Sequence, residues 1–141
     1  MNTSQTITCS LPACPGMDRS GYQVPDVKIE PENVRIILIA EAPPPDPTDY
    51  YYSPGNPSYL QTLMQAFRDA GAAVNSMQDI LDMGVYITTA VKCAKTGSFV
   101  SPEALANCSG LLEKEVAIFP NVKACILGGD VAIRMMNTIW K

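Results

Sequence analysis

Val34-Arg35-Ile36-Ile37-Leu38-Ile39-Ala40 runs straight into Glu41-Ala42-Pro43-Pro44-Pro45-Asp46-Pro47. The first seven residues are apolar on both faces and mostly β-branched or aliphatic. They read as a strand covered on both sides, the habit of a parallel sheet. Proline fixes φ and removes a backbone donor, so the second stretch is a stiff loop that cannot be helix. Glu41 therefore stands at the carboxyl end of a buried strand, where open α/β sheets bind ligands. A carboxylate there can also simply face solvent or cap a neighbouring helix.

Beyond the loop the pattern alternates. Asn56-Pro57 reads as an N-cap and first helical residue. Leu60, Leu63, Met64 and Phe67 then follow at helical spacing over residues 57–70, before Gly71. Residues 76–83 form a second short helix with Ser76 and Asp79 as a capping pair, broken by Gly84. Val85-Tyr86-Ile87-Thr88-Thr89-Ala90-Val91 is a second strand, and a loop with Lys92, Cys93, Lys95 and Gly97 leads to a helix start at Ser101-Pro102-Glu103. That helix should reach about Phe119 and stop at Pro120. Residues 122–127 make a third strand, Gly128-Gly129 turns the chain, and a last helix covers 131–140. This alternation predicts an α/β fold: a three-layer αβα arrangement with a parallel sheet of at least three strands. Residues 1–33 are expected to be an irregular N-terminal segment and 34–141 the α/β domain, one domain overall. A doubly wound sheet would place a further strand after the last helix, so more chain is expected beyond Lys141. Neither a dinucleotide-binding fingerprint nor a P-loop is present.

Composition narrows the chemistry. The 141 residues carry no histidine, which removes Cys–His and Ser–His nucleophile pairs and an imidazole acid. Catalysis must then use carboxylates, amides, hydroxyls, backbone groups or a metal centre. The net charge of −4 is unfavourable for a protein gripping phosphates, so nucleic acid would need a local basic patch. Lys92, Lys95 and Arg19 are the candidates. No stretch approaches the roughly 20 apolar residues of a membrane span. The polar N-terminus has no signal-peptide pattern, so a cytoplasmic location without membrane contact is expected. There the five cysteines stay reduced or bind metal. Cys9, Cys14, Cys93 and Cys108 could serve as four ligands, while Cys125, inside a strand, reads as an inert core residue.

Three segments carry a family resemblance. Ile37-Leu38-Ile39-Ala40-Glu41-Ala42-Pro43 is similar to a strand ending in Gly-Glu-Ala-Pro-Gly. Residues 85–93 are similar to V-Y-I-T-N-x-V-K-C, and residues 120–128 to a P-K-V-I-V-A-L-G strand. These motifs, in this order, resemble the uracil-DNA glycosylase superfamily, and within it the iron–sulfur (family 4-like) enzymes. Residues 101–112 with Cys108 fit the family's P-x-x-x-E-x-x-x-C helix loosely. The resemblance implies hydrolysis of the N-glycosidic bond of uracil in DNA, the opening step of base-excision repair, on a nucleotide flipped from the stack. It further implies that Glu41 faces the extruded nucleotide as the catalytic residue, and that Ala42 and Pro43 shape the uracil pocket. One of Tyr50, Tyr51 or Tyr52 would stack on the base, and Thr89 would stand where an asparagine reads the uracil edge. Cys9, Cys14, Cys93 and Cys108 would hold a [4Fe–4S] cluster.

The sequence also departs from the pattern. Ala40 and Pro44 replace glycines, and Thr89 has one hydroxyl where asparagine has a carbonyl and an amide. No His-Pro-Ser segment follows, and four residues rather than two separate Cys9 from Cys14. Three alternatives therefore stand beside the enzyme: a catalytically inactive nucleic-acid or nucleobase binding module of the same fold, a metal-stabilised interaction domain, and zinc or free thiols in place of the cluster.

Overall fold

The computed structural model describes residues 2–3 and 6–140. Among the described residues, five strands and four α-helices follow in chain order: β1 (Met17–Asp18), β2 (Ile36–Ala40), α1 (Ser58–Asp69), α2 (Met77–Asp82), β3 (Val85–Thr89), β4 (Ala94–Lys95), α3 (Pro102–Val116), β5 (Ala124–Leu127) and α4 (Asp130–Ile139). β2 lies at the centre of a parallel sheet ordered β3-β2-β5. Ile37 pairs with Tyr86 on one side and Cys125 on the other. The predicted α/β sandwich is the observed one.

Alternation along the strands assigns the two faces. Ile37, Ile39, Tyr86 and Ala90 pack with Cys108 and Leu112 of α3 and with Val131, Ala132, Met135 and Met136 of α4. Val85 and Ile87 pack with Leu60 and Met64 of α1 and Ile80 of α2. Helices thus cover both faces, and each fully buried Ile or Leu contributes about 1.5–3 kcal/mol. The chain after β2 leaves toward one face, while that after β3 and β5 leaves toward the other. A crevice opens where they diverge, at the carboxyl ends of the strands.

Local chemistry sets the boundaries. Ser76 caps α2 by accepting from the Asp79 N–H at 3.1 Å, and Ser101 caps α3 by accepting from Ala104 at 3.2 Å. Gly84, between α2 and β3, has φ 85°, and a Cβ there would lie 2.9 Å from the Asn33 carbonyl oxygen, so only glycine fits. Two details differ from expectation. α1 starts one residue later, with Pro57 rather than Asn56 at the cap and no side-chain cap bond. α3 ends at Val116, three residues before Phe119, because the chain closes in tight turns from Glu115 and Val116 to Ile118 and Phe119.

The N-terminal segment holds more order than its composition suggested. Ile7, Met17 and Ile29 are buried, and β1 pairs antiparallel with β4. That pairing needs Gly21: a Cβ there would sit 2.6 Å from the Ala94 methyl. No helix among the described residues is long and apolar enough to cross a membrane.

Candidate functional site

Glu41 follows the last residue of β2, and the chain behind it is locked to β3: Ala90 N–H donates to the Ala40 carbonyl at 2.8 Å, and Val91 N–H to the Glu41 carbonyl at 3.1 Å. The rigid strand on one side and the proline loop on the other hold the carboxylate at the rim of a cleft of about 270 Å³. Ala40, Glu41, Ala42, Pro43, Pro45, Tyr59, Lys95 and Gly97 line it. Glu41 is half-buried and its Oε1 accepts from the Lys95 ammonium in a close ion pair. A larger cleft, about 570 Å³, opens beside Gly84 at the opposite ends of the strands, with Lys28, Glu30, Arg35 and Asp82 in its wall. The smaller cleft is the better candidate, because sheets of this type bind ligands at their carboxyl ends.

The other sequence-predicted residues are distributed unevenly. Ala42 and Pro43 line the cleft with Glu41. Tyr50 is buried, and its hydroxyl has no hydrogen-bond partner among the described residues. Tyr52 is spent on the sheet: its hydroxyl donates to the Ile87 carbonyl at 2.7 Å and accepts from the Ile87 N–H at 2.9 Å. Tyr51 packs edge-on against Tyr59, ring centroids 5.6 Å apart, and Tyr59 is the ring that reaches the cleft. Tyr59 sits in the first turn of α1, and nothing in the sequence separates it from any exposed helical tyrosine. Thr89 is fully buried and does not line the cleft; its hydroxyl donates to the Val91 carbonyl at 2.6 Å.

Of the three basic candidates, two are used internally. Arg19 donates to the Leu11 carbonyl and reaches the Cys9 sulfur at 3.6 Å. Lys92 is a correction: it is fully buried, with its ammonium 2.6 Å from Glu115 Oε1, 2.8 Å from the Thr88 hydroxyl and 2.6 Å from the Thr89 carbonyl. Glu115 also accepts from Tyr86 at 2.5 Å. A signal for it existed: Ala104, Cys108, Leu112 and Glu115 fall on one helical stripe, and a carboxylate on a buried stripe demands a partner.

Cys9 and Cys14 of the N-terminal segment approach Cys93, in the link between β3 and β4, and Cys108 of α3. Burial, then Cys108, pushes the Cys93 thiol up, with Cys14 and Cys9 adding to it against Arg19. Burial also raises Cys108, opposed by a hydrogen bond from the Lys92 backbone. Tyr22, beside them, is pushed up to about 12 by burial and then by Cys9, Cys108 and Cys93. Four soft sulfur donors suit an iron–sulfur cluster or zinc. As the side chains stand, no three Cys, Asp or Glu among the described residues are grouped closely enough to hold a metal ion. Cys125 lies apart, half-buried in β5, its thiol raised by burial.

Comparison with protein-family models matches residues 27–141 to the family described as Uracil DNA glycosylase superfamily. The chain belongs to that superfamily. Its members act on DNA, and the match starts upstream of β2 and covers the whole sheet, including every residue lining the cleft. No curated protein matches the chain. Within the superfamily, the cleft of this member combines a carboxylate, a cation, an aromatic ring and a loop whose backbone lacks three consecutive donors at Pro43, Pro44 and Pro45.

Proposed function

We propose that the chain is a uracil-DNA glycosylase that hydrolyses the N-glycosidic bond of an extruded deoxyuridine, using Glu41 to position the attacking water. The observation that supports this most is Glu41 itself, held at the cleft rim by a locked strand end and beside an open wall of Ala42, Pro43 and Gly97. A sugar acquiring oxocarbenium character is stabilised by a nearby carboxylate, which also orients water at C1′. Tyr59, braced by Tyr51, offers a face for the base, and such stacking contributes roughly 1–3 kcal/mol. Release of free uracil from a single-stranded oligonucleotide, with a thymine oligonucleotide as control, tests the reading. Release from the uracil strand alone supports it, and no release overturns it.

Cys9, Cys14, Cys93 and Cys108 are proposed to hold a [4Fe–4S] cluster, which when bound would tie the N-terminal segment to the β3–β4 link and α3. Iron and sulfide analysis of anaerobically purified protein distinguishes this from zinc. Reduced thiols and repair of DNA both accord with a cytoplasmic location.

One observation favours a second reading, a binding module without turnover. The Thr89 hydroxyl is buried and committed to Val91, so it presents nothing to a uracil edge. A binder gives saturable, salt-sensitive association with oligonucleotides and no free base.

A further inference from the structure

We propose that Lys95 is a phosphate-binding residue held in reserve by Glu41, and that nucleic acid engages the cleft by exchanging the glutamate for a phosphodiester oxygen. This rests on the nucleic-acid reading of the cleft, but not on turnover.

The chain as a whole repels polyanions, with ten Lys and Arg against fourteen Asp and Glu. Binding a phosphate backbone therefore requires a cation placed at the site. Lys92 is sealed in the core and Arg19 is spent on Leu11 and Cys9. Lys95 is the cation lining this cleft among the described residues. Its backbone is fixed: Lys95 pairs with Met17 across the β1–β4 ladder, and both the N–H and the hydroxyl of Thr96 donate to the Gly16 carbonyl, at 3.1 and 3.0 Å. Its side chain remains 29% exposed, against 35% for Glu41, so the pair is open to solvent and to a ligand. Beside it, nothing lies within 4 Å of where a Cβ would stand on Gly97, so the cleft wall there is open.

The pairing has two consequences. In the free protein it masks the cation that would attract phosphate to the cleft. It also draws Glu41 Oε1 onto the lysine, so that the carboxylate shares its charge with the ammonium. A phosphate that takes the ammonium thus frees the carboxylate, coupling occupancy of the cleft to readiness of Glu41. A partly exposed ion pair is weak enough to be exchanged in this way, and a charge-assisted bond to phosphate replaces it.

The test is the affinity of the whole protein for a fluorescent single-stranded oligonucleotide, measured across a salt series. Lys95→Met is expected to weaken binding and to lower the slope of log K against log salt by about 0.7, the share of one phosphate contact. Glu41→Gln is expected to tighten binding by up to about fivefold, since it releases the lysine from one partly exposed ion pair. In a Lys95→Met background, Glu41→Gln should then tighten nothing. Equal tightening in both backgrounds would mean plain charge repulsion and sink the exchange, as would weaker or unchanged binding by Glu41→Gln, or an unchanged slope in Lys95→Met. Absence of binding by the unaltered protein sinks it as well. Uracil release, read separately, keeps the two ideas apart: the predicted slopes without release support the exchange and overturn hydrolysis, whereas release with unchanged slopes does the reverse.

Discussion

Lys92 and Lys95 stand three residues apart, and each meets a glutamate from a distant element, yet the two pairs live in opposite surroundings. Lys92 and Glu115 are sealed from solvent, and their remaining hydrogen-bonding capacity is taken up by Thr88, Tyr86 and the Thr89 carbonyl. Lys95 and Glu41 touch each other at the rim of a cleft, with about a third of each side chain in water. A pair with complete partners in a dry interior fixes a structure, because either charge alone is costly. A pair with spare capacity in partial contact with water holds little energy and can be exchanged. The first fastens α3 to β3, while the second holds its glutamate only loosely.

The largest test of this contrast is Lys92→Met. It leaves the Glu115 carboxylate buried without its cation and should cost about 3–5 kcal/mol in denaturant unfolding. Replacing both partners, as Lys92→Met with Glu115→Met, should recover most of that loss. If the single variant is as stable as the parent, the sealed pair is not what fastens α3 to β3.

Glu41→Gln should do the opposite. Uracil release is expected to fall by a factor on the order of 10²–10⁴, the usual worth of a positioned acid–base group, with the unfolding midpoint unmoved. A variant that loses stability along with activity would place Glu41 in the framework rather than the chemistry.

Alkaline pH sharpens the comparison further. Burial, then the Glu115 charge, holds the Tyr86 phenol well above its ordinary value. The unfolded chain gives up that proton near pH 10, and the folded chain does not. This contribution to stability is therefore complete below about pH 10 and is lost as pH rises beyond it. Tyrosinate absorbance should appear together with unfolding, and Tyr86→Phe should reduce the alkaline slope of stability. Early, non-cooperative ionisation of all the tyrosines would contradict this.

The smallest effect belongs to Lys95→Met, which should change unfolding free energy by less than about 1 kcal/mol while altering oligonucleotide affinity. A large loss of stability would erase the difference between the two pairs.

Much of the fold was legible because its signals are local. The apolar run ending at Ala40, the caps at Ser76 and Ser101 and the glycine at 84 act through neighbouring backbone, and each appears in the structure where it was expected. Glu41 was legible for the same reason, since a buried strand followed by prolines leaves one place for it. Asn56 was not: it carries a capping side chain, yet Pro57 takes the cap position.

What no local pattern contained was the choice of partner. Lys92 and Lys95 look alike as members of one loop, and only the packing of α3 on β3 makes one of them interior. The tyrosines at 50–52 form one run in sequence, but the fold sends one into the core, fastens one to β3 and rests one on Tyr59. β1 and β4 are two residues each and gain their order from one another across Gly21 and Ala94. The sequence by itself determined the elements, their order and the loop that bears Glu41, because these follow from side-chain period and backbone restriction within a few residues. Only the tertiary structure decided which charges are buried, which are paired and which ring meets the cleft, because desolvation and Coulomb energy depend on groups far apart along the chain.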